Sequence, residues 1–379
     1  MVTSPSPSPT ADGFVADLLQ QLLEDALAQG ASDIHFEPQE KGLRVRYRID
    51  GHLYVAATPA ITWRDRLVSR LKVLARLDIA EKRTPQDGRM GLSWQGRWVH
   101  LRVSSLPTLH GEKLVVRVLE GPGDSLDLQT LGYGPTALAH LQQALHRPDG
   151  LILITGPTGS GKTRSLYSCL AQLNDSRVNI ATVEDPAEIQ LTGANQVSVN
   201  ERAGLTFATT LRALLRQDPD ILMVGEIRDL ETARIALQAA QTGHLVLSTL
   251  HTQDAPSSLM RLQDMGVEPF HLASSVLLIT AQRLVRRLCP HCKRQTPAQT
   301  SWQAVGCAQC REGYAGRLGL FQVMPISPTM KAMMLQHTNA PALAAQAQRE
   351  GIQSMREDGM TKVRLGLTTL DEVEQATHD

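Results

Sequence analysis

A short apolar stretch leads directly into a glycine-rich loop: Leu151-Ile152-Leu153-Ile154-Thr155, followed by Gly156-Pro157-Thr158-Gly159-Ser160-Gly161-Lys162-Thr163. The loop matches the pattern G-x-x-x-x-G-K-[ST] in full, between a strand and a helical stretch. Its glycines let backbone N–H groups approach a triphosphate closely, and the N-terminus of the next helix adds partial positive charge. We therefore predict that all eight loop residues bind nucleotide, with Lys162 reaching the β- and γ-phosphates and Thr163 ligating Mg²⁺.

The residues on both sides of this loop alternate between short apolar strands and helical stretches. Such alternation predicts a parallel β-sheet covered by helices on both faces. The predicted strands are residues 151–154, 179–183, 221–224 and 245–247. Ligands of such sheets bind at the carboxyl ends of the strands, so polar residues that follow a strand are candidates for catalysis.

Two acidic residues follow predicted strands. Glu226 lies just past residues 221–224, where nucleotide hydrolysis needs an acid that holds a magnesium-bound water or activates the attacking one. Glu184, followed by Asp185, ends another strand; the alternative for this pair is a solvated strand end or a helix cap. We predict that Glu226 and Glu184 are catalytic, together with Lys162.

A histidine also follows one of the strands. His251 lies at the carboxyl end of the strand that contains residues 245–247. Beside a phosphate site it would sense the γ-phosphate, so it joins the catalytic candidates. Taken alone, such a histidine is more often a structural hydrogen-bonding residue.

Four of the five cysteines form two C-x-x-C pairs, Cys289 with Cys292 and Cys307 with Cys310, separated by 14 residues. Two such pairs can place four thiolates tetrahedrally around one Zn²⁺, and four sulfur ligands indicate a structural site. The alternative is that the four cysteines bind an iron–sulfur cluster. Cys169, on the helix after the loop, is interpreted as a small buried apolar residue.

The N-terminal third has a different pattern, with one helix and pairs of strands. Helical spacing covers residues 14–28, and alternating strands follow at residues 33–36, 43–49, 99–103 and 113–119. Asp50-Gly51 reads as a hairpin turn. Gly121-Pro122-Gly123 interrupts the pattern, so we place a domain boundary near residues 120–130.

One predicted helix of this region is basic. It carries an apolar stripe at Leu67, Leu71 and Leu74, and its bases are Arg70, Lys72 and Arg76. The simplest interpretation of these bases is a solvated helix face.

Length and charge limit the class of protein. A chain of 379 residues is too long for one ordinary core. Lys+Arg and Asp+Glu both count 38, and this balance counts against general nucleic-acid binding. No run of 18 apolar residues predicts a membrane-spanning helix, and the Ser- and Pro-rich residues 3–10 predict a flexible tail without the features of a secretory signal. We therefore expect a cytoplasmic protein.

Together, these motifs resemble those of the type II secretion and type IV pilus assembly ATPases, from about residue 14 to the C-terminus. The segments that carry the resemblance, besides the loop and the cysteine pairs, are residues 31–35, 83–89, 106–113, 184–186, 215–220, 225–229, 243–252 and 366–373.

The resemblance implies an α/β fold with two domains. A RecA-like P-loop motor domain with a parallel sheet would cover residues 126–379, including a tetracysteine zinc insert at residues 284–322 and a C-terminal helical region at residues 325–379. A smaller PAS-like α/β domain would precede it at residues 13–125, after a disordered tail at residues 1–12.

The resemblance also implies a function. The chain would use ATP, Mg²⁺ and Zn²⁺ and form a homo-oligomer, usually a hexamer, at the cytoplasmic face of the inner membrane. Closure of the two domains on ATP would drive assembly of a pilus or pseudopilus and protein export, with an inner-membrane platform protein as partner and no specific nucleic acid. Arg102 and Arg117 occupy the positions of family arginines that reach the nucleotide; their alternative is salt bridges on a strand.

Two features depart from the family pattern. Only about a dozen residues precede the shared region, where family members commonly have a further docking domain, and Arg164 follows Thr163 where a small hydroxyl residue is usual. Docking would then fall to the surface of residues 14–119, the basic helix at residues 70–76 and the axial face of the ring. The alternative functions are a pilus retraction motor, a DNA-transfer ATPase or translocase with a similar fold, and a non-enzymatic zinc scaffold.

Overall fold

The computed structural model describes residues 11–119, 126–296 and 301–377. The chain divides into two units, Met1–Asp124 and Ser125–Asp379, and each has hydrophobic clusters of its own. Residues 1–10 of the predicted N-terminal tail and the Gly121-Pro122-Gly123 interruption lie outside the described residues, whereas residues 11 and 12, predicted as part of the tail, belong to the first helix.

The first unit is an antiparallel sheet with two helices. Its elements are α1 (Ala11–Ala28), β1 (Asp33–Gln39), β2 (Gly42–Ile49), β3 (His52–Ala57), α2 (Ile61–Leu74), β4 (Gln86–Trp94), β5 (Arg97–Thr108) and β6 (Gly111–Val118). The six strands lie in the order β3-β2-β1-β6-β5-β4. Apolar residues of both helices share one core with alternate residues of the strands, because successive side chains of a strand point to opposite faces.

The predicted hairpin turn is confirmed. Asp50 and Gly51 connect β2 to β3 with positive φ angles of 49° and 91°, the left-handed conformation that such two-residue turns require. Glycine and aspartate adopt this conformation more readily than most residues.

Helix α2 differs from its prediction at one base. Arg70 and Arg76 are exposed, but only 1% of the Lys72 side chain is exposed. Its Nζ lies 2.6 Å from a carboxylate oxygen of buried Glu112 and donates to the Glu81 carbonyl at 2.7 Å. The predicted solvated face is therefore wrong for Lys72, because its partner lies 40 residues further along the chain.

The second unit contains a seven-stranded sheet. Its elements up to the cysteine segment are α3 (Pro135–Leu145), β7 (Gly150–Thr155), α4 (Lys162–Leu173), β8 (Ile180–Glu184), β9 (Ala194–Ser198), α5 (Phe207–Leu214), β10 (Ile221–Val224), α6 (Leu230–Gln241), β11 (Leu245–Leu250), α7 (Ala255–Asp264), α8 (Pro269–Ser275) and β12 (Val276–Leu288). Then follow β13 (Arg294–Gln295), β14 (Trp302–Gln303), β15 (Tyr314–Pro325), α9 (Pro328–Leu335), α10 (Ala340–Arg349), α11 (Met355–Arg364) and α12 (Leu370–Thr377).

The strand order of this sheet is β15-β12-β7-β11-β10-β8-β9. The predicted parallel strands are confirmed as β7, β8, β10 and β11, and β9 and β12 are parallel to them. Strand β15, which the sequence analysis did not identify, runs antiparallel to β12 at the edge. The sheet is therefore mixed.

Helices cover both faces of this sheet, as predicted. Strand β7 demonstrates the reason for its continuous apolar run: Leu151 and Leu153 join one hydrophobic cluster, and Ile152 and Ile154 join the cluster on the other face. A strand buried on both faces needs apolar residues at every position.

Helix α11 covers part of the sheet edge. The Phe321 N–H of β15 donates to the Asp358 carboxylate at 2.8 Å, and Lys362 donates to the Gly319 carbonyl at 2.7 Å. Asp358 and Lys362 also pair with each other. Two backbone groups that would face outward from the edge strand are therefore bonded to a helix. Among the described helices, none combines the length and apolar character needed to cross a bilayer.

Candidate functional site

The glycine-rich loop connects the end of β7 to the start of α4. Gly156, Gly159 and Gly161 have positive φ angles of 148°, 79° and 87°, which non-glycine residues rarely adopt. Helix α4 begins at Lys162, so the N-terminus of the helix directly adjoins the backbone of the loop. This geometry is that of a phosphate-binding loop.

Lys162 is folded onto the loop itself. Its Nζ donates to the carbonyls of Gly156 and Pro157 at 2.8 and 2.9 Å. Burial lowers the pKa of Lys162 to about 8; the Glu226 charge acts to raise this pKa and the Arg283 charge to lower it. The ammonium group is thus held at the mouth of the loop, near the Glu226 carboxylate.

The carboxyl ends of β8, β10 and β11 bring four further side chains together. His251 Nε2 lies 3.5 Å from Glu226 Oε2. Arg228 binds the Glu226 carboxylate and lies 3.2 Å from Asp185 Oδ2. Burial and then the Lys162 charge lower the pKa of His251, so its ring is neutral at neutral pH. Glu226, His251 and Lys162, predicted separately, therefore share one edge of the sheet.

Glu184 lies at the end of β8, but its carboxylate is buried. It accepts hydrogen bonds from the Tyr167 hydroxyl at 2.5 Å, Thr182 Oγ1 at 2.6 Å and Gln196 Nε2 at 3.2 Å. Its oxygens are therefore occupied by protein donors, and the neighbouring Asp185 is the acid that contacts Arg228.

Arg102 and Arg117 belong to the first unit, where β5 and β6 place them directly opposite each other. Arg102 lies 3.2 Å from Asp87, and Arg117 lies 2.9 Å from Asp33. Each arginine thus has a carboxylate partner, as the salt-bridge alternative expects, and the two like charges lie side by side on neighbouring strands. Their approach to the nucleotide stays a prediction.

The four cysteines of the C-x-x-C pairs lie together, with all Sγ atoms within 4.8 Å of one another. The Sγ–Sγ distance is 3.9 Å for Cys289–Cys307 and 3.6 Å for both Cys292–Cys310 and Cys307–Cys310. Tetrahedral Zn²⁺ with Zn–S bonds of about 2.3 Å needs sulfurs about 3.8 Å apart. The cluster therefore fits a zinc ion. Cys169 is buried away from solvent, as predicted.

The C-terminal segment holds the base of this cluster. The Leu288 N–H donates to the Leu367 carbonyl at 2.9 Å, and Lys293 donates to the Gly366 carbonyl at 2.6 Å. Arg286 lies 2.7 Å from a carboxylate oxygen of Glu372. Hydrogen bonds and an ion pair thus connect residues 366–373 to the end of β12 and the start of the cysteine segment.

Sequence reasoning left several site residues without a role. Arg228 lies two residues after Glu226, inside a motif that carries the resemblance, and its charge was the available signal; Asp185 directly follows Glu184 and was considered with it as an acidic pair. Gln282 of β12 donates to the Ser160 carbonyl from a strand that was not identified, so no sequence signal singled it out.

A phosphate-binding loop at the carboxyl edge of a parallel sheet, with a lysine, a glutamate and a histidine around it, defines a P-loop nucleotide-binding domain. Residues 9–375 match the family model described as Type II/IV secretion system protein, and the chain belongs to this family. The resemblance found in the sequence is confirmed, and with it the prediction of an ATPase of secretion and pilus systems.

Two curated relatives are each 51% identical to this chain. One is the type IV pilus assembly ATPase PilB of Acinetobacter baylyi, aligned over 96% of this chain and 66% of its own length. The other is the type II secretion system protein HxcR of Pseudomonas aeruginosa, aligned over 98% of this chain and 79% of its own length. The chain therefore spans about two thirds to four fifths of these relatives.

A solved structure shares the fold. The pilus retraction motor PilT with bound ADP is 26% identical, with a TM-score of 0.69 over 95% of this chain and 97% of that one. The predicted α/β class with its parallel sheet is confirmed.

Proposed function

We propose that this protein is a Mg²⁺-dependent ATPase that acts as a motor of a type II secretion or type IV pilus assembly machine. The observation that carries this proposal is the meeting of Lys162, Glu226 and His251 at the loop edge of the sheet. Membership of a family whose relatives at 51% identity are named for pilus assembly and type II secretion supports the choice of machine.

The residues of the loop bind the nucleotide in this proposal. Backbone N–H groups of the loop, to which every residue of 156–163 except Pro157 can contribute, surround the phosphates, and Lys162 exchanges its bonds to the loop carbonyls for bonds to phosphate oxygens. The Thr163 hydroxyl and the Glu226 carboxylate are oxygen donors of the kind that Mg²⁺ prefers. When bound, Mg²⁺ neutralises charge on the phosphates.

Glu226 orients and activates the attacking water, and the neutral His251 ring and Arg228 hold its carboxylate in place. Glu184 contributes indirectly: its hydrogen bond from Tyr167 joins α4, which begins in the loop, to the end of β8, and Asp185 follows directly. We assign Glu184 a positioning role, since its carboxylate is buried.

Arg102 and Arg117 neutralise phosphate charge when the two domains close on ATP. Their direct opposition on β5 and β6 supports this role, because two guanidinium groups side by side suit a polyanionic ligand. We further propose a hexameric ring at the inner membrane, bound to the platform protein of the machine, and one structural Zn²⁺ per chain at the four cysteines.

A retraction motor is the nearest alternative, and its structural similarity to this chain is clear. The relatives at 51% identity are named for assembly and secretion, whereas PilT is 26% identical, which favours assembly. A DNA-transfer ATPase is disfavoured by the balanced charge of 38 basic and 38 acidic residues.

Two variants test the ATPase assignment. Lys162→Ala is expected to abolish ATP binding and turnover, because it removes the only loop side chain with a positive charge. Glu226→Gln is expected to bind ATP normally and to hydrolyse it at least ~10²-fold more slowly, the usual contribution of a positioned general base. Phosphate release and nucleotide titration measure both. Undiminished turnover in the two variants would exclude the assignment.

A further inference from the structure

Gln282 lies on β12 against the phosphate-binding loop and is almost completely buried, with 1% of its surface exposed. Its Nε2 donates to the Ser160 carbonyl at 2.7 Å. Its Oε1 accepts a hydrogen bond from Ser165 Oγ, in the first turn of α4, at 2.8 Å. The NH₂ group of this buried amide therefore binds the loop, and its oxygen binds the helix that follows the loop.

The strand backbone also approaches the loop closely. Ala281 pairs with Thr155, so Gln282 is level with the first loop glycine. A Cβ atom at Gly156 would lie 2.4 Å from the Gln282 carbonyl oxygen, and one at Gly161 would lie 3.3 Å from Gln282 Nε2. Gln282 thus leaves little room for a side chain at Gly156 or at Gly161, near the two ends of the loop.

A loop that turns N–H groups towards phosphate must turn carbonyl groups away from it, and buried carbonyls need donors. A trans peptide is planar, so the C=O of one residue and the N–H of the next point in opposite directions. Fixing the Ser160 carbonyl therefore also fixes the Gly161 N–H. The Gln282 amide supplies the fixed point, from a strand that is itself paired on both sides.

We propose that Gln282 is a positioning residue for phosphate binding: it holds the Ser160–Gly161 peptide so that the Gly161 N–H faces the nucleotide phosphates. Ser165 orients the Gln282 amide, because its hydroxyl donates to Oε1 and leaves Nε2 for the loop carbonyl. This proposal rests on the proposed nucleotide-binding function of the loop.

Two substitutions of Gln282 test the role. Gln282→Leu keeps the volume and removes the donor; the Kd for a fluorescent ATP analogue is expected to rise roughly 10-fold, the effect of one lost buried hydrogen bond. Gln282→Glu cannot donate while ionised, so its Kd is expected to exceed that of the leucine variant at pH 8. The ratio of this Kd to the wild-type Kd at the same pH should fall as the pH falls, because a protonated carboxyl donates again.

Two further variants control for stability. Lys362→Met removes a buried hydrogen bond to β15 without touching the loop, so a lowered Tm with wild-type Kd is expected. Ser165→Ala leaves Gln282 in place but frees its amide to rotate, and a rise in Kd of about 3-fold is expected even if the Gln282 variants do not fold.

The outcomes separate this proposal from the proposed function. If the Gln282 variants fold and keep the wild-type Kd, the positioning role is overturned. If they do not fold, a wild-type Kd in Ser165→Ala overturns it instead. In both cases the proposed function stands as long as Lys162→Ala abolishes binding. If the Kd of Gln282→Glu, divided by the wild-type Kd at the same pH, does not fall at low pH, the positioning role is also overturned. Failure of the wild-type chain to bind the analogue at all would instead overturn the proposed function.

Discussion

Lys162 titrates within a pH range in which folded protein is readily studied, because burial lowers its pKa to about 8. Bound phosphates favour the charged ammonium and raise this pKa, so affinity is highest below pH 8 and falls above it. From pH 7 to pH 9 the affinity for ATP should fall about 10-fold, since the charged fraction of the free protein's lysine falls by that factor.

Isothermal titration with a non-hydrolysable ATP analogue at several pH values measures this dependence. Lys162→Arg is the matched control, because a guanidinium group stays charged over the whole range and its affinity should be flat. A wild-type affinity that does not change between pH 7 and pH 9 would contradict a lowered lysine pKa.

Single residues differ in how well the sequence predicts them. Lys162 and Glu226 were predicted because their roles follow from spacing within short motifs that adjoin a strand. The buried carboxylate of Glu184 depends on Tyr167 and Gln196, which lie 17 and 12 residues away, and no local pattern reveals such partners. The pairing of Lys72 with Glu112 was missed for the same reason.

At the scale of elements, β12 connects the phosphate-binding loop to the cysteine cluster. Gln282 contacts the loop near the middle of the strand, and Cys289 follows its last residue. Loss of zinc is expected to loosen the end of β12, the start of β15 and α12, since the Arg286–Glu372 pair and the Leu288–Leu367 bond hold these segments together.

Hydrogen exchange before and after treatment with a chelator, with elemental analysis of zinc, measures this effect. Cys289→Ser should reproduce the faster exchange, while β10 and β11 stay protected. Cys169→Ala is the control, because this cysteine is buried outside the cluster and its loss should leave the zinc content unchanged. Protein purified without chelator that contains no zinc would refute the site.

Elements buried on both faces were the most predictable. Strands β7, β10 and β11 each contain a continuous apolar run (residues 151–154, 221–224 and 245–247) between helical stretches, so their type and direction followed from the sequence. Strand β12 was not identified, because polar residues such as Gln282, Arg283 and Arg286 interrupt its apolar pattern. Gln282 binds the loop and Arg286 binds the C-terminal segment, which explains how a largely buried strand accommodates these two polar side chains.

At the scale of the whole molecule, the proposed motor needs its two domains and its neighbours to act together. Arg102→Ala and Arg117→Ala are expected to reduce turnover by up to ~10³-fold, by analogy with arginine fingers. The same variants should still form the ATP-dependent oligomer expected of the wild type. Each substitution removes one side chain and leaves the backbone pairing of β5 with β6 in place.

Light scattering with and without a non-hydrolysable analogue, together with co-purification with the cytoplasmic domain of the platform protein, measures assembly. Wild-type turnover and affinity in both arginine variants would rule out their role. A chain that stays monomeric in every nucleotide state and does not bind the platform protein would defeat the motor proposal even if it hydrolyses ATP.

The edge of the large sheet affects how copies of this chain can meet. Where an edge strand leaves its N–H and C=O groups free, a second chain can extend the sheet with a strand of its own. On β15 the Phe321 N–H and the Gly319 carbonyl are already bonded to α11. At these two positions β15 therefore offers no free backbone group with which a strand of a neighbouring copy could pair. Contacts made there depend on side chains, and such contacts separate and re-form more readily than two merged sheets.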